Sequence, residues 1–218
     1  MDPILKSLQN EPHILELLPI LKKNRCKAYL VGGYLRNLLL EKKDGNLDLD
    51  FAVSGDALKI AKLFSHKIKG FYVVLDKKER CARVVHNFGT EIYTLDFAQF
   101  RGKTIKEDLG LRDFTVNNLA IDIEKISSAT TLQSILIDQS CGRKDLAAKI
   151  IRMVSKNSFK DDPLRIIRCF SLSAQLDFTV DKDTLIWAKK ERERMIFSVN
   201  GTINLILSKK IFPLPVLK

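Results

Sequence analysis

The stretch VGGYLRNLLLEKKDGNLDLDFAV, residues 31–53, joins a glycine pair to an Asp-x-Asp sequence. Gly32 and Gly33 follow the apolar segment AYLV, which predicts a buried strand, and precede YLRNLLLEKK, which predicts a helix. Glycines at such a turn let backbone N–H groups approach a phosphate closely, and a helix N-terminus favours an anion. Arg36 lies in the first turn of this helix, within reach of the same anion.

The Asp-x-Asp sequence lies on a second predicted strand, NLDLDFAV. Residues two apart on a strand share a face, so Asp48 and Asp50 project together while Leu49 points to the core. Mg²⁺ prefers such oxygen ligands and commonly binds substrate phosphates as well. Taken alone, the pattern is more typical of a solvated strand end. The glycine spacing matches neither the Walker loop nor the dinucleotide-binding fingerprint, so a nucleotidyl-transfer site fits better.

The flanking sequence predicts an α/β domain in residues 1–140 and a helical region in residues 141–218. Apolar residues recur at helical spacing over residues 3–23, with a break at Pro12. The segments FYVVLD, CARVVHNF and TEIYTLDF read as strands joined by short polar links, which favours antiparallel pairing in a small mixed sheet. From Asp145 onward the spacing is mainly helical.

Composition places the chain among ordinary globular proteins. Of its 218 residues, 45% are hydrophobic and 29% are charged. The longest uncharged run, residues 195–208, is too short to span a bilayer, and the N-terminus has no signal-peptide core, so we expect a cytoplasmic protein without a membrane partner. The scattered cysteines and histidines lack zinc-ligand spacing.

The positive charge is concentrated towards the C-terminus. Residues 140–218 carry 16 Lys and Arg against 8 Asp and Glu, and the whole chain has a formal net charge of +11. This bias suggests a polyanionic partner such as nucleic acid. Solvated lysines that only keep the protein soluble are the alternative.

Four motifs in order resemble those of one enzyme family. Residues 31–53 resemble motif A of the DNA polymerase β superfamily, specifically of bacterial-type (class II) tRNA nucleotidyltransferases and their poly(A) polymerase relatives. EDLGLRDFTVNNLAID (residues 107–122), IDQSCGRKDLAAKIIRMV (137–154) and DDPLRIIRCFSLSAQLDF (161–178) are similar to three later motifs of that family. The resemblance implies a polymerase β-like head followed by a helical neck, and template-independent addition of nucleotides to a tRNA 3′ end with CTP or ATP and Mg²⁺.

The resemblance also implies roles for the residues of the first motif. Gly32 and Gly33 would hold the triphosphate, and Asp48 and Asp50 would be the catalytic carboxylates that bind Mg²⁺. Asp96, in the strand YTLDF, would be a third metal ligand, or it simply ends a strand.

The second motif would bind the nucleotide from another side. Arg112 would contact the phosphates of the incoming nucleotide, while Asp113 and Asn117 would order the loop and the ribose. An ordinary helix cap at Asp113 is the alternative.

The segment DDPLR would choose the base. Asp162 and Arg165 are three apart and therefore neighbours on one helical face, which on its own predicts only an intrahelical ion pair. By resemblance, Arg165 would donate to an acceptor on the Watson–Crick edge and Asp162 would accept from the exocyclic amine beside it. C and A offer that pair of groups, whereas U and G do not. Arg168, one turn further on, would assist.

Two features separate the chain from complete members of the family. Only residues 97–111 lie between Asp96 and Arg112, where CCA-adding members carry a longer flexible loop, so we expect C addition with little or no A addition. The chain also stops where the tRNA-binding body and tail normally follow. We expect a truncated form or fragment, or RNA binding supplied by a second chain or an oligomer. A poly(A) polymerase-like enzyme and a weakly active RNA-binding remnant are the alternatives.

Overall fold

The computed structural model describes residues 2–42 and 47–198, and two short helices open it. Helix α1 spans Pro3–Gln9 and helix α2 spans Pro12–Asn24, which confirms the break predicted at Pro12. Each helix begins at a proline, whose missing N–H is not needed in a first turn. The Asp2 and Glu11 side chains accept hydrogen bonds from backbone N–H groups of α1 and α2.

Seven strands form one mixed sheet in the order β3-β4-β5-β2-β1-β6-β7. Strands β2 and β5 pair in parallel, and all other neighbours pair antiparallel. This confirms the α/β fold with a mixed, mainly antiparallel sheet. The strands are β1 (Ala28–Val31), β2 (Leu47–Val53), β3 (Phe71–Asp76), β4 (Cys81–Phe88), β5 (Glu91–Gln99), β6 (Leu119–Asp122) and β7 (Leu136–Asp138).

Further helices lie between and after the strands. A second, two-stranded parallel sheet joins β8 (Ile150–Ile151) to β9 (Thr179–Val180). The helices are α3 (Gly32–Leu39), α4 (Ala57–Ile68), α5 (Ile105–Gly110), α6 (Gly142–Ala147), α7 (Ser158–Asp161), α8 (Leu164–Leu176) and α9 (Lys182–Ser198). Three 3₁₀ turns cover Thr115–Asn117, Ile123–Ser128 and Leu132–Ser134.

Along β2, Leu49 and Phe51 alternate with Asp48 and Asp50, so the two pairs project to opposite faces of the sheet. Leu49 and Phe51 are buried in the main core, where the Phe51 ring stacks on Phe97 of β5 at 5.2 Å. Phe64 of α4 packs against Phe97 from the other side, with ring centroids 5.6 Å apart. Asp48 and Asp50 therefore lie on the face opposite α4, where the functional site is found.

The main hydrophobic cluster runs from Leu5 in α1 to Ala188 in α9. Its members come from both sides of residue 140, because α8 and α9 bury apolar residues such as Ile166 and Cys169 in the same cluster. The division into domains at residues 140 and 141 stays a prediction. No helix within residues 2–42 and 47–198 is long and apolar enough to cross a membrane. The uncharged run 195–208 falls mostly outside the described residues.

Candidate functional site

The glycine turn packs directly against the Asp-x-Asp strand. β1 and β2 are neighbours, with Val31 opposite Asp50, and β1 leads at once into α3. Gly32 is buried with a φ of +78°, and a Cβ there would collide with Oδ2 of Asp50. The Gly33 backbone N–H donates a hydrogen bond to the Asp50 carboxylate. The two halves of the opening stretch therefore form one site, and glycine is required at its closest contact.

The carboxylates of this site crowd one another. Asp48 is exposed and Asp50 is half-buried, and both lie on the face of the sheet opposite Leu49 and Phe51. Burial, followed by the charge of Asp96, raises the pKa of Asp50 to about 6, although Arg112 counteracts this. Two carboxylates on one strand, with an excess of negative charge that a cation would relieve, fit a Mg²⁺ ion completed by water and phosphate oxygens. Asp48 and Asp50 are the residues that could hold it.

Asp96 lies beside Asp50 but is bound to an arginine. The parallel pairing of β2 with β5 puts Asp96 in register with Asp50. Arg83, in register on β4, donates from Nε to Oδ1 of Asp96 at 2.8 Å and from Nη2 to Oδ2 at 2.9 Å. Within the described ranges, no three His, Cys, Asp or Glu side chains are grouped to hold a metal ion. A metal role for Asp96 stays a prediction, and it would require Asp96 to share its oxygens with Arg83.

An open cleft of about 230 Å³ extends from the glycine turn to α8. Four arginines face it against two aspartates, so the cleft is suited to an anion as large as a triphosphate. It is lined by Gly32, Gly33, Asp50, Arg101, Arg112, Asp113, Asn117, Arg165 and Arg168. The fold thus collects predicted residues from three motifs that are far apart in the sequence.

Asp108 fixes two of these arginines. Its buried carboxylate accepts from Nε and Nη2 of Arg112 at 3.0 and 2.9 Å and from the Arg101 backbone N–H at 3.2 Å. Burial alone would raise the pKa of Asp108, but Arg112 and Arg101 together hold it below the ordinary value. Arg101, Asp108 and Arg83 were not predicted as site residues. Only their position beside known motifs could have suggested them, since their pairings depend on strand register and on the turn into α5.

Asp113 connects the loop after α5 to α8. Its Oδ1 accepts from the Phe114 backbone N–H at 2.7 Å and lies 3.4 Å from Nδ2 of Asn117. Its Oδ2 accepts from Nη1 of Arg168 at 3.0 Å. Asp113 thus contacts both the loop and α8, while its role in ordering the loop and the contact of Asp113 or Asn117 with a ribose stay predictions.

Arg36 lies outside the cleft lining. It is buried and donates from Nη1 to Oδ1 of Asn117 at 2.8 Å, and from Nε and Nη2 to Oδ1 of Asn37 at 2.9 and 2.7 Å. In this arrangement Arg36 supports Asn117, which does line the cleft. Direct contact of Arg36 with a nucleotide stays a prediction.

Arg165 and Asp162, the two residues predicted to choose the base, lie close together in space but differ in burial. Arg165 is 7% exposed, donates to the carbonyl oxygens of Leu111 at 3.0 Å and Ser158 at 3.3 Å, and has a pKa lowered chiefly by burial. Asp162 is half-buried and outside the cleft lining. Its Oδ2 lies 3.7 Å from Nε of Arg165, and its Oδ1 accepts from the Leu164 backbone N–H at 3.0 Å. Nε of Arg165 and the Asp162 carboxylate thus lie close together, while recognition of a base by this pair stays a prediction.

The family model of the poly A polymerase head domain matches residues 28–152, from β1 to the residue after β8. The chain belongs to the poly A polymerase head-domain family. Within that family it is similar to the CC-adding tRNA nucleotidyltransferases of Synechocystis sp. (39% identical over 176 residues, 81% of this chain and 38% of the relative) and Geobacter sulfurreducens (34% over 185 residues, 85% and 40%). The chain therefore spans about 40% of the length of these curated relatives.

The fold of this family member also matches solved structures. The Thermotoga maritima CCA-adding enzyme complexed with tRNA is 33% identical, with a TM-score of 0.69 over 88% of this chain and 45% of that one. The polymerase β-like architecture implied by the motifs is thereby confirmed, as is the family resemblance itself. The matched family region, residues 28–152, contains Gly32, Asp48, Asp50 and Arg112, whereas Arg165 follows it.

Proposed function

We propose that the chain is the nucleotidyl-transfer part of an enzyme that adds C residues to the 3′ end of tRNA, with CTP as the incoming nucleotide and Mg²⁺ as cofactor. One observation carries the proposal: the Gly32–Gly33 turn packs on Asp50 at one end of a cleft that four arginines line. This places a carboxylate suited to Mg²⁺ beside a surface suited to a triphosphate. The CC-adding, CCA-adding and tRNA-bound relatives support the same reaction class.

Different residues of the site would bind the metal ion and the triphosphate. Asp48 and Asp50 would hold Mg²⁺, which when bound lowers the barrier to attack of the RNA 3′ hydroxyl on the α-phosphate. Arg101 and Arg112, both oriented by Asp108, would bind the triphosphate and then the departing pyrophosphate. Because Asp108 already holds the guanidinium groups of Arg101 and Arg112 in place, these side chains lose little conformational entropy when the phosphates bind.

Base choice would lie at the other end of the cleft. Arg165 is buried and held by backbone carbonyls, so it presents a fixed donor rather than a mobile charge. With Asp162 at 3.7 Å from its Nε, the pair would complement the acceptor and amine of C. U or G would leave a buried donor or acceptor unpaired, which is a strongly discriminating penalty.

The connection before Arg112 supports addition of C alone. Residues 97–111 form a short segment that hydrogen bonds hold in place. The Phe100 backbone N–H donates to the Val53 carbonyl at 3.0 Å, and the Asp108 carboxylate accepts from the Arg101 backbone N–H. Helix α5 occupies six of these residues and buries Ile105 and Leu109. A segment fixed in this way has no spare length to rearrange the cleft for a second base.

The test is extension of a tRNA transcript lacking its 3′ CCA, with each NTP supplied separately and products resolved by length. We expect two added residues with CTP, and no addition with UTP, GTP or ATP. A transcript already ending in CC should remain unextended with ATP. The Asp48→Asn, Asp50→Asn double variant is the matched negative control.

The other outcomes identify the alternatives. Efficient addition of a terminal A would show a CCA-adding enzyme, and long A tracts would show a poly(A) polymerase. Retained tRNA binding without any Mg²⁺-dependent extension would show an RNA-binding remnant. Each of these results contradicts the C-adding proposal in a different way.

A further inference from the structure

Three lysines surround one tryptophan on the surface formed by α7 and α9. The Nζ atoms of Lys190, Lys160 and Lys156 lie 4.5, 5.4 and 6.0 Å from the centre of the Trp187 ring. All three lysines are exposed and Trp187 is half-buried. We call these four residues the lysine–tryptophan patch. One ammonium beside an indole is an ordinary cation–π contact, whereas three converging on one ring is an excess of charge.

This charge has no carboxylate partner within 4.0 Å in the described part of the chain, since the ion pairs found there involve other residues. Asp162, close by in sequence, pairs with Arg165, and Glu191 on α9 pairs with Arg194. Cations within about a Debye length of each other repel. The second and third lysine beside Trp187 therefore add little to the stability of the folded chain. An anionic ligand would convert this repulsion into binding.

The patch is attached to the base-selecting end of the cleft. Lys160 belongs to α7, and Lys156 lies two residues before the start of that helix. Trp187 and Lys190 are three apart on α9 and share a face of that helix. The same α7 segment carries Ser158, whose carbonyl accepts from Arg165 and whose hydroxyl donates to the carbonyl of Arg112 at 3.3 Å. The segment that carries Lys160 is therefore hydrogen-bonded to both Arg165 and Arg112.

We propose that the lysine–tryptophan patch binds the RNA strand that is to be extended, with phosphates on the ammonium groups and an unpaired base stacked on Trp187. Nucleic acid is the polyanion that offers both partners, because every base has a π-face and every linkage has a charge. An acidic peptide offers the charge, but it has an aromatic ring only where such a residue occurs in its sequence. The inference rests on the proposed function, in which RNA is the acceptor.

The experiment compares two triple variants of equal charge. Lys156→Gln, Lys160→Gln, Lys190→Gln removes the patch cations. The control, Lys23→Gln, Lys59→Gln, Lys62→Gln, removes three exposed lysines from α2 and α4, none of which lines the cleft. The Kd for a fluorescently labelled tRNA transcript lacking CCA is measured by anisotropy between about 50 and 200 mM salt. Circular dichroism verifies the fold of each variant.

We expect the patch variant to bind the transcript about tenfold or more weakly, and the slope of log Kd against log salt to fall by about 2. The control should bind within about twofold of the unmodified chain. Trp187→Leu keeps the charge but removes the stacking surface, and we expect it to weaken binding by about fivefold or more with an unchanged salt slope.

Two results would overturn the patch proposal. Equal weakening in both triple variants would mean that only net charge matters. Unchanged RNA binding by the patch variant would mean that the patch does not bind RNA, and loss of poly-glutamate binding in the same anisotropy assay would then assign the patch to an acidic protein. Failure of the proposed function is separable, because it would appear as absent nucleotide addition by the unmodified chain, whatever the patch variants bind.

Discussion

Arg165 of α8 donates from Nη2 to the backbone carbonyl of Leu111 at 3.0 Å, across 54 positions of sequence. The next residue in the chain after Leu111 is Arg112, which Asp108 clamps from the other side. The arginine that would read the base and the arginine that would bind the phosphates are thus joined through one peptide. A shift in either changes the distance between base and triphosphate sites.

Arg165→Lys should separate charge from geometry at this position. Lysine keeps the charge but has one nitrogen in place of Nη1 and Nη2, which reach Ser158 and Leu111 separately, so we expect a loss of about 1–3 kcal/mol in the free energy of unfolding. Discrimination of CTP against UTP, measured as the ratio of kcat/KM values, should fall about tenfold or more. The matched control is Arg80→Lys, which lies outside the cleft lining and whose ion pair with Asp56 is exposed on both sides (45% and 43%) and contributes little. Equal effects of the two changes would contradict the assignment.

The two glycines of the turn should respond differently to alanine. Gly32→Ala puts a Cβ into Asp50 at a φ of +78°, and we expect a loss of at least about 1–3 kcal/mol of stability and weaker nucleotide binding. Gly33→Ala places its Cβ 3.5 Å from Nη2 of Arg36, an ordinary contact, and should change stability little. Urea denaturation and CTP titration measure both. A Gly33 variant as unstable as the Gly32 variant would show that the turn, rather than the Asp50 contact, requires glycine.

Asp50→Asn should stabilise the metal-free chain while abolishing its response to Mg²⁺. Burial and the neighbouring charge of Asp96 raise the pKa of Asp50 to about 6. The ionised carboxylate therefore destabilises the folded chain when no cation is bound. We expect about 1–2 kcal/mol of added stability at pH 8 without metal, and no rise in Tm when Mg²⁺ is supplied. Asp48→Asn, at an exposed position, should also lose the Mg²⁺ response but gain less stability. A destabilised Asp50→Asn variant would argue against charge crowding.

Three hydrogen-bonded side chains outside the cleft lining, Glu11, His13 and His86, should make the stability of the protein depend on pH. His86 of β4 contacts Nε2 of His13 at 2.9 Å, and Nδ1 of His13 contacts Glu11 at 2.8 Å. Burial, and then the proximity of His13, lowers the pKa of His86 below its ordinary 6.5. The folded chain therefore resists protonation there, and the stability gained above pH 6.5 is lost as the pH falls through the lowered pKa.

His86→Gln should make this pH dependence shallower. Thermal unfolding between pH 7.5 and 5 measures it, and His66→Gln, at an exposed position on α4, is the control. We expect the control to follow the unmodified curve. A His86 variant that keeps the full pH dependence would assign it to other groups.

The fold was predictable from local patterns because those patterns are strong. Alternation in residues 47–53 and in the three segments after α4 predicts strands, and Pro12 marks the start of α2. The order of strands was not predictable. The parallel pairing of β2 with β5 brings Asp96 beside Asp50, and nothing in either segment alone specifies that partner.

The site was predicted in part for the same reason. Gly32, Asp50 and Arg112 could be assigned from motifs, since each sits in a short recognisable pattern. The pairing of Arg83 with Asp96 could not, because it depends on a register between two strands.

The sequence by itself determined which side chains the chain can offer: a glycine turn, paired carboxylates and a basic C-terminal region, each set by spacing along a strand or helix. Tertiary structure decided what those side chains touch. Arg36 supports Asn117 instead of lining the cleft, and Arg165 is buried against the carbonyl of Leu111. The physical reason is that hydrogen bonds and charge compensation act over a few ångströms in space. Long-range folding sets these distances, and local sequence does not.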